Sequence, residues 1–245
     1  ELTGFNKSGG TGLTLLAEDG TVRNVSLDTV IAGNNDVGVN ATATGDGTIS
    51  GISTNTVLFG ESTGDAGVFE ATGVGATIED LSFELTGFNE SVGTGLTLLA
   101  EDGTVRNVSL DTVLAAGNSA GLNATATGSG LIEDLTLTET GLNETTGTGL
   151  ALSANDGEIS NVSLNTVTAG NNDVGIDATA TGTGLISGIS TDTVLFGEST
   201  SDAGVFEATG AGATIEDLSF ELTGFNKSGG TGLTLLAEDG TVRNV

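Results

Sequence analysis

The sequence predicts an all-β fold, a parallel β-solenoid with coils of roughly 27 residues, a length typical of units that stack into solenoids. Three observations carry that expectation. The opening stretch, Glu1–Val25, returns unchanged as Glu221–Val245. A shorter unit recurs beneath this long copy. Each unit holds a strand-like segment with Gly at its boundary, and no segment reads as an amphipathic helix. Self-similarity at a fixed period marks repeat architectures, in which one unit cannot bury its apolar face alone.

Cutting after each Gly that precedes an apolar residue gives the units 13–38, 39–67, 68–95, 96–121, 122–149, 150–175, 176–204 and 205–232. Together these eight units make up one full long period, the offset of Glu221 from Glu1. Residues 1–245 are therefore expected to form one continuous solenoid segment, a full period followed by the opening stretch of the next. Near copies reinforce the pattern: "ELTGFNESVGTGLTLLAEDGTVRNV" starts at Glu84, and "TVLFGEST" occurs at Thr56 and Thr193.

Within each unit the most regular segment reads "VRNVSLDT", "ISGISTNT" or "IEDLSFEL". Its apolar positions alternate with polar ones, the period of a strand rather than of a helix. Two columns are apolar in every unit. One runs from Val22 through Ile49, Ile78 and Val105 to Ile215, the other from Val25 through Ile52, Leu81 and Val108 to Leu218. Outward columns of Ser or Thr and of Asp, Asn, Glu or Thr accompany them. A second short strand follows each Gly boundary, as in "VNATATG". A third apolar patch, "VIAG" or "VLFG", precedes a turn rich in Gly, Asn, Asp and Ser. Each coil pairs with the next at ~4.8 Å, so equivalent residues stack in ladders. Unit length varies where loops leave the corners, because lengthening a loop costs little.

The pattern "G-T-[IV]-x-[NG]-[VI]-S", seen in "GTVRNVS" and "GTISGIS", resembles the GLUG-type and filamentous-haemagglutinin-like repeats of prokaryotic surface proteins and adhesins. It lacks the Gly-Leu-Val-Gly element of the former. That resemblance implies a right-handed β-helix that is secreted, extracellular or at the cell surface.

Composition narrows the function. Asp and Glu number 33 against five Lys and Arg, for a formal charge of −28. Such a surface repels nucleic acid, whose binding rests on Lys and Arg contacts to phosphate. No apolar run is long enough to span a bilayer as a helix. The acidic balance resembles that of halophilic proteins, in which salt screens repulsion. There is no His, Cys, Tyr or Trp. That excludes a Ser–His–Asp triad, thiol chemistry and aromatic stacking on a sugar. The Arg residues, Arg23, Arg106 and Arg243, occupy one equivalent position, and Lys7 copies Lys227. Residues that repeat with the fold argue against a polysaccharide-cleaving site, which is unique. No catalytic, cofactor-binding or metal-binding residue is assigned. The "AEDG" and "GNNDVG" turns suit loosely held cations such as Ca²⁺, but match no calcium loop.

The expectation is thus a structural repeat region of an extracellular filament, stalk or surface layer. Its partners are copies of itself, end to end or side by side. The alternatives are an adhesin stalk or carbohydrate-binding passenger, then a β-helix enzyme. Nine Asn-x-Ser/Thr sequons are present. Those read as lying in turns, Asn6, Asn89, Asn143 and Asn226, are the candidate N-glycosylation sites. Peptide mass spectrometry of protein from a glycosylating host should find a glycan on at least one of these four. Bare Asn at all of them would remove the assignment.

Overall fold

A computed structural model describes residues 3–4 and 9–245. Every regular element in it is a strand, and about nine turns stack as a β-solenoid. Two parallel sheets run the length of the stack. The shorter strands, from Thr11–Glu18 through Val37–Thr44 and Gly67–Thr72 to Leu233–Glu238, form a nine-stranded sheet. The longer ones, such as Thr21–Gly33, Thr48–Gly60 and Thr77–Asn89, belong to the other sheet. Each strand pairs with its counterpart one coil away, as in Val22↔Ile49↔Ile78↔Val105. Non-local parallel pairing of this kind leaves a coil without a core until its neighbours are in place.

The alternation expected along the longer strand holds only in short runs. Val22 and Val25 are both inward columns, yet their odd spacing in the chain is one that a straight strand of period two forbids. The backbone solves this with a left-handed residue at Asn24, φ +56°. Such residues recur in four columns, which define four corners per coil. The first corner is Asp19, Gly45, Gly73, Asp102 and their equivalents; the second is Asn24, Gly51, Asp80, Asn107 and onward. The third comprises Thr29, Thr56, Leu85, Thr112, Glu139, Thr166, Thr193 and Leu222. The fourth comprises Asn34, Glu61, Glu90, Gly117, Glu144, Asn171, Glu198 and Lys227. Every positive-φ residue among those described belongs to one of these columns. Asn, Asp and Gly adopt this conformation readily, which explains the "[NG]" position of the sequence motif. Thr, Leu, Glu and Lys do not, so the third corner and most of the fourth hold strain that the coils above and below must impose.

Two unit boundaries shift by one residue. Val39 pairs with Gly67, which pairs with Leu96, and Ile176 pairs with Gly204, which pairs with Leu233. The third and eighth coils therefore begin at Gly67 and Gly204, not at Val68 and Val205. Glycine stands in the inward column because phenylalanine fills its space. A Cβ at Gly67 would lie 2.7 Å from the Phe88 ring, and one at Gly204 would lie 2.5 Å from Phe225. Phe59, Phe69, Phe83 and Phe88 form one aromatic cluster, repeated as Phe196, Phe206, Phe220 and Phe225. Small Ala41 and Thr54 in the coil before Phe69 and Phe83 balance the volume. The core is otherwise ladders of Val, Ile, Leu and Ala, nearly all fully buried.

Just past the fourth corner runs a buried polar column: Asn35, Ser62, Ser91, Asn118, Thr145, Asn172 and Ser199. Asn118 donates from Nδ2 to the Phe88 carbonyl (2.7 Å) and accepts from the Ser91 amide (2.8 Å). Asn172 does the same with the Leu142 carbonyl and the Thr145 amide, both at 2.9 Å. These carbonyls need a partner because the neighbouring amides are diverted. The Ala116 amide donates to Asn89 Oδ1 and the Gly170 amide to Asn143 Oδ1. An Asn before the corner in one coil is thus matched by a buried Asn after the corner in the next. Where Gly60 or Gly197 stands before the corner, the next coil carries Ser91 or Ser228.

Asn172→Ala leaves the Leu142 carbonyl and the Thr145 amide without partners, at about 1–3 kcal/mol each. Urea unfolding should show a loss of about 2–6 kcal/mol. The Ser62 hydroxyl, buried with no partner, is the internal control. Ser62→Ala should change stability by less than about 0.5 kcal/mol or raise it.

Candidate functional site

The surface chemistry of the rod is organised by column, so each corner and face is described as a ladder. At the first corner, Asp and Gly share the position. Asp102 Oδ1 accepts the Ser129 amide at 2.8 Å, and Asp156 Oδ1 accepts the Thr183 amide at the same distance. The carboxylate occupies the space of the next corner residue's side chain. A Cβ at Gly128 would overlap Asp102 Oδ1, and one at Gly182 would overlap Asp156 Oδ1. A corner Asp therefore requires Gly one coil later, and two carboxylates never stack directly there.

At the second corner the charges are paired across coils. Glu79 and Asp80 of "IEDL" lie beneath Arg106 and Asn107 of "VRNV". Arg106 donates to Glu79, with Nε at 2.8 Å, and Asn107 donates to Asp80 Oδ1 at 2.9 Å. Glu216 and Asp217 repeat this with Arg243 and Asn244. The Glu79 carboxylate holds the Arg106 guanidinium above its ordinary pKa, first through their hydrogen bond and then through charge. At the fourth corner Lys227 pairs with Glu198 at 2.5 Å. These exposed pairs each contribute little to stability, but they order the coils, because "VRNV" fits directly after "IEDL".

The sequon asparagines divide unexpectedly. Asn6 lies outside the described residues. Asn89 and Asn143 are half-buried, their Oδ1 atoms tied to the next coil, and the hydroxyl residues of their sequons, Ser91 and Thr145, are buried. Asn226 is exposed. Asn24, Asn107 and Asn161 lie in strands as read from sequence, but at left-handed corners where they are exposed, whereas Asn89 and Asn226, read as turn residues, are the last residues of strands. Asn107 and Asn161 donate from Nδ2 to Asp80 and Asp134.

Carboxylates of the two turn motifs serve their own hydrogen bonds. Asp36 accepts the Thr63 hydroxyl at 3.1 Å. Asp173 accepts the Ser201 and Thr200 hydroxyls, both at 2.7 Å, which hold its carboxyl below the ordinary pKa. Among the described residues no group of three or more acidic side chains converges as a metal would need. Nor, among them, is any helix long and apolar enough to cross a membrane.

The face between the third and fourth corners is different in kind. Its outward column reads Ile31, Leu58, Gly87, Leu114, Gly141, Thr168, Leu195, Gly224. The four large residues are 37–45% exposed. Each Leu leans over the Gly of the next coil, so that a Cβ at Gly87, Gly141 or Gly224 would lie 2.9–3.1 Å from a leucine Cδ1. Shallow grooves follow this column. One is lined by Ile31, Leu58, Asn34 and Glu61, another by Gly141, Asn143 and Thr168, and a third by Leu195, Leu222 and Gly224. Sequence reading missed this face because the "VIAG" and "VLFG" patches read as core. Their second residue points outward once the corner at Thr29 or Thr56 is in place.

On the short-strand sheet, Asp177 stands where Asn40 and Asn123 stand in other coils. Burial raises its pKa, the Thr179 hydroxyl opposes that, and Glu207 adds to it. A carboxyl raised on folding costs stability as pH rises through its folded pKa. Asp177→Asn should therefore stabilise the protein at neutral pH by a few tenths of a kcal/mol. The gain should vanish as pH falls below the ordinary carboxylate range, which thermal melts across pH 3–8 would show. No protein-family model and no curated protein matches this chain.

Proposed function

We propose that this chain is a structural segment of an extracellular or cell-surface filament, stalk or surface layer. One observation carries the reading: every coil meets the next through the same four corners and the same backbone ladders. Such a stack has no intrinsic length limit, so the chain acts as a spacer whose length is set by coil number. Eight coils rise ~38 Å at ~4.8 Å each. Copies of the long sequence period continue one another end to end. Loosely held cations, Ca²⁺ among them, balance the acidic surface, whose mutual repulsion keeps rods apart.

The ionisable residues support a non-catalytic role, since Arg and Glu recur with the coils and pair with each other, while Asp80 is held by the Asn107 amide. The grooved apolar face supports a second reading, a stalk that also presents a binding surface, as an adhesin would. Chains carrying several copies of the period should appear in electron micrographs as thin unbranched rods. Oriented fibres should diffract at ~4.8 Å along the rod axis. Compact globules, or a ~4.8 Å reflection across the axis, would overturn the reading.

A further inference from the structure

We propose that the face between the third and fourth corners docks a cationic amphipathic polypeptide helix, laid along the rod. Three observations converge there. Four large exposed apolar side chains of interior coils lie on this one face or its edge, Leu58, Leu85, Leu114 and Leu195, with Ile31 and Leu222 at its two ends. The others among the described residues sit at the turn-tip Val74 and Val92, or on the first and last coils. Apolar exposure gathered on one face and rimmed by polar residues marks an interaction site.

Charge then selects the partner. One rim carries Asp28, Glu84, Asp111, Glu139, Asp192 and Glu221, all exposed. The opposite rim carries Glu61, Glu90, Glu144 and Glu198. The one described cation on either rim, Lys227, is already held by Glu198. A second copy of the chain would bring the same acidic rims against these, so like charges would oppose the contact. A partner with an apolar stripe between Lys or Arg residues satisfies both rims and the groove.

Geometry favours a helix over a strand as that partner. The stretch from the third corner to the fourth, as from Thr29 to Asn34, spans roughly 16 Å at ~3.3 Å per residue. A helix with its side chains is ~10–12 Å wide. The leucines of the column stand two and three coils apart, ~10 and ~14 Å at ~4.8 Å per coil, and a helix meets them with every second or third ~5.4 Å turn. The long Lys and Arg side chains would reach outward to the rims while the apolar stripe covers the leucines.

The test is fluorescence anisotropy with a labelled synthetic Leu/Lys amphipathic helix, about five turns long, in buffer near physiological ionic strength. The unaltered protein should bind it, and the triple variant Leu58→Asn, Leu114→Asn, Leu195→Asn should bind at least tenfold more weakly. Net charge is unchanged in that variant, so equal affinity would mean general attraction to an acidic protein and would overturn the proposal. Absence of binding by the unaltered protein would also overturn it. So would sedimentation showing self-association that the triple variant abolishes, because the occupant would then be a second copy. Should the triple variant unfold, Glu61→Gln, Glu90→Gln, Glu144→Gln provides the comparison. It should weaken binding several-fold more than removing three acids elsewhere, as in Glu70→Gln, Glu101→Gln, Glu158→Gln. Equal weakening would count against the face. The rod reading stands or falls separately, on the micrographs.

Discussion

The parallel backbone ladder between successive coils is the interaction on which everything else depends. A single coil closes no core of its own. Its inward Val, Ile, Leu and Phe become dry only when the coils above and below cover them. The ladder also forces equivalence: a residue that bends the backbone in one coil must meet a residue bent the same way in the next. Four columns of left-handed residues meet that demand. The third column meets it with Thr, Leu and Glu and the fourth in large part with Glu and Lys, all under local strain that the stack holds in place.

Near-identical coils raise a problem of order, since a coil that skips a place would still find an apolar partner. Side chains at the corners resolve it. Glu79 and Asp80 match Arg106 and Asn107, a corner Asp demands Gly in the next coil, and Asn89 and Asn143 demand Asn118 and Asn172. The Phe88–Gly67 and Phe225–Gly204 complements add a steric version of the same rule. Several of these contacts are individually weak, but each penalises a mis-stacked register. Polar specificity of this sort is well attested where it fixes registry.

Much of the fold was legible in the sequence. Unit spacing, inward columns and the absence of helices among the described residues all follow from the copies and their apolar pattern. The left-handed corners were not read, although a signal existed: two polar residues, Arg23 and Asn24, separate the inward Val22 and Val25. That spacing is impossible in a straight strand and implies a bend. The boundary before Val68 was misplaced because Gly67 looks like a punctuating glycine, whereas it makes room for Phe88. The buried Asn column was hidden by its composition, since Asn, Ser and Thr in a turn read as solvent-facing. Only aligned coils reveal that an Asn in one predicts an Asn in the next. The grooved face was masked likewise, because "VLFG" conceals one outward leucine among inward neighbours.

The central claim is that each coil is stable because of its neighbours. Native-state hydrogen exchange on the Leu137→Ala variant tests it most directly. Leu137 is fully buried and stacks between Leu110 and Leu164. The account predicts that amide protection falls in all three coils, those of Leu110 and Leu164 included, and recovers with distance along the rod. Protection lost only in the coil of Leu137, with both neighbours unchanged, would contradict it.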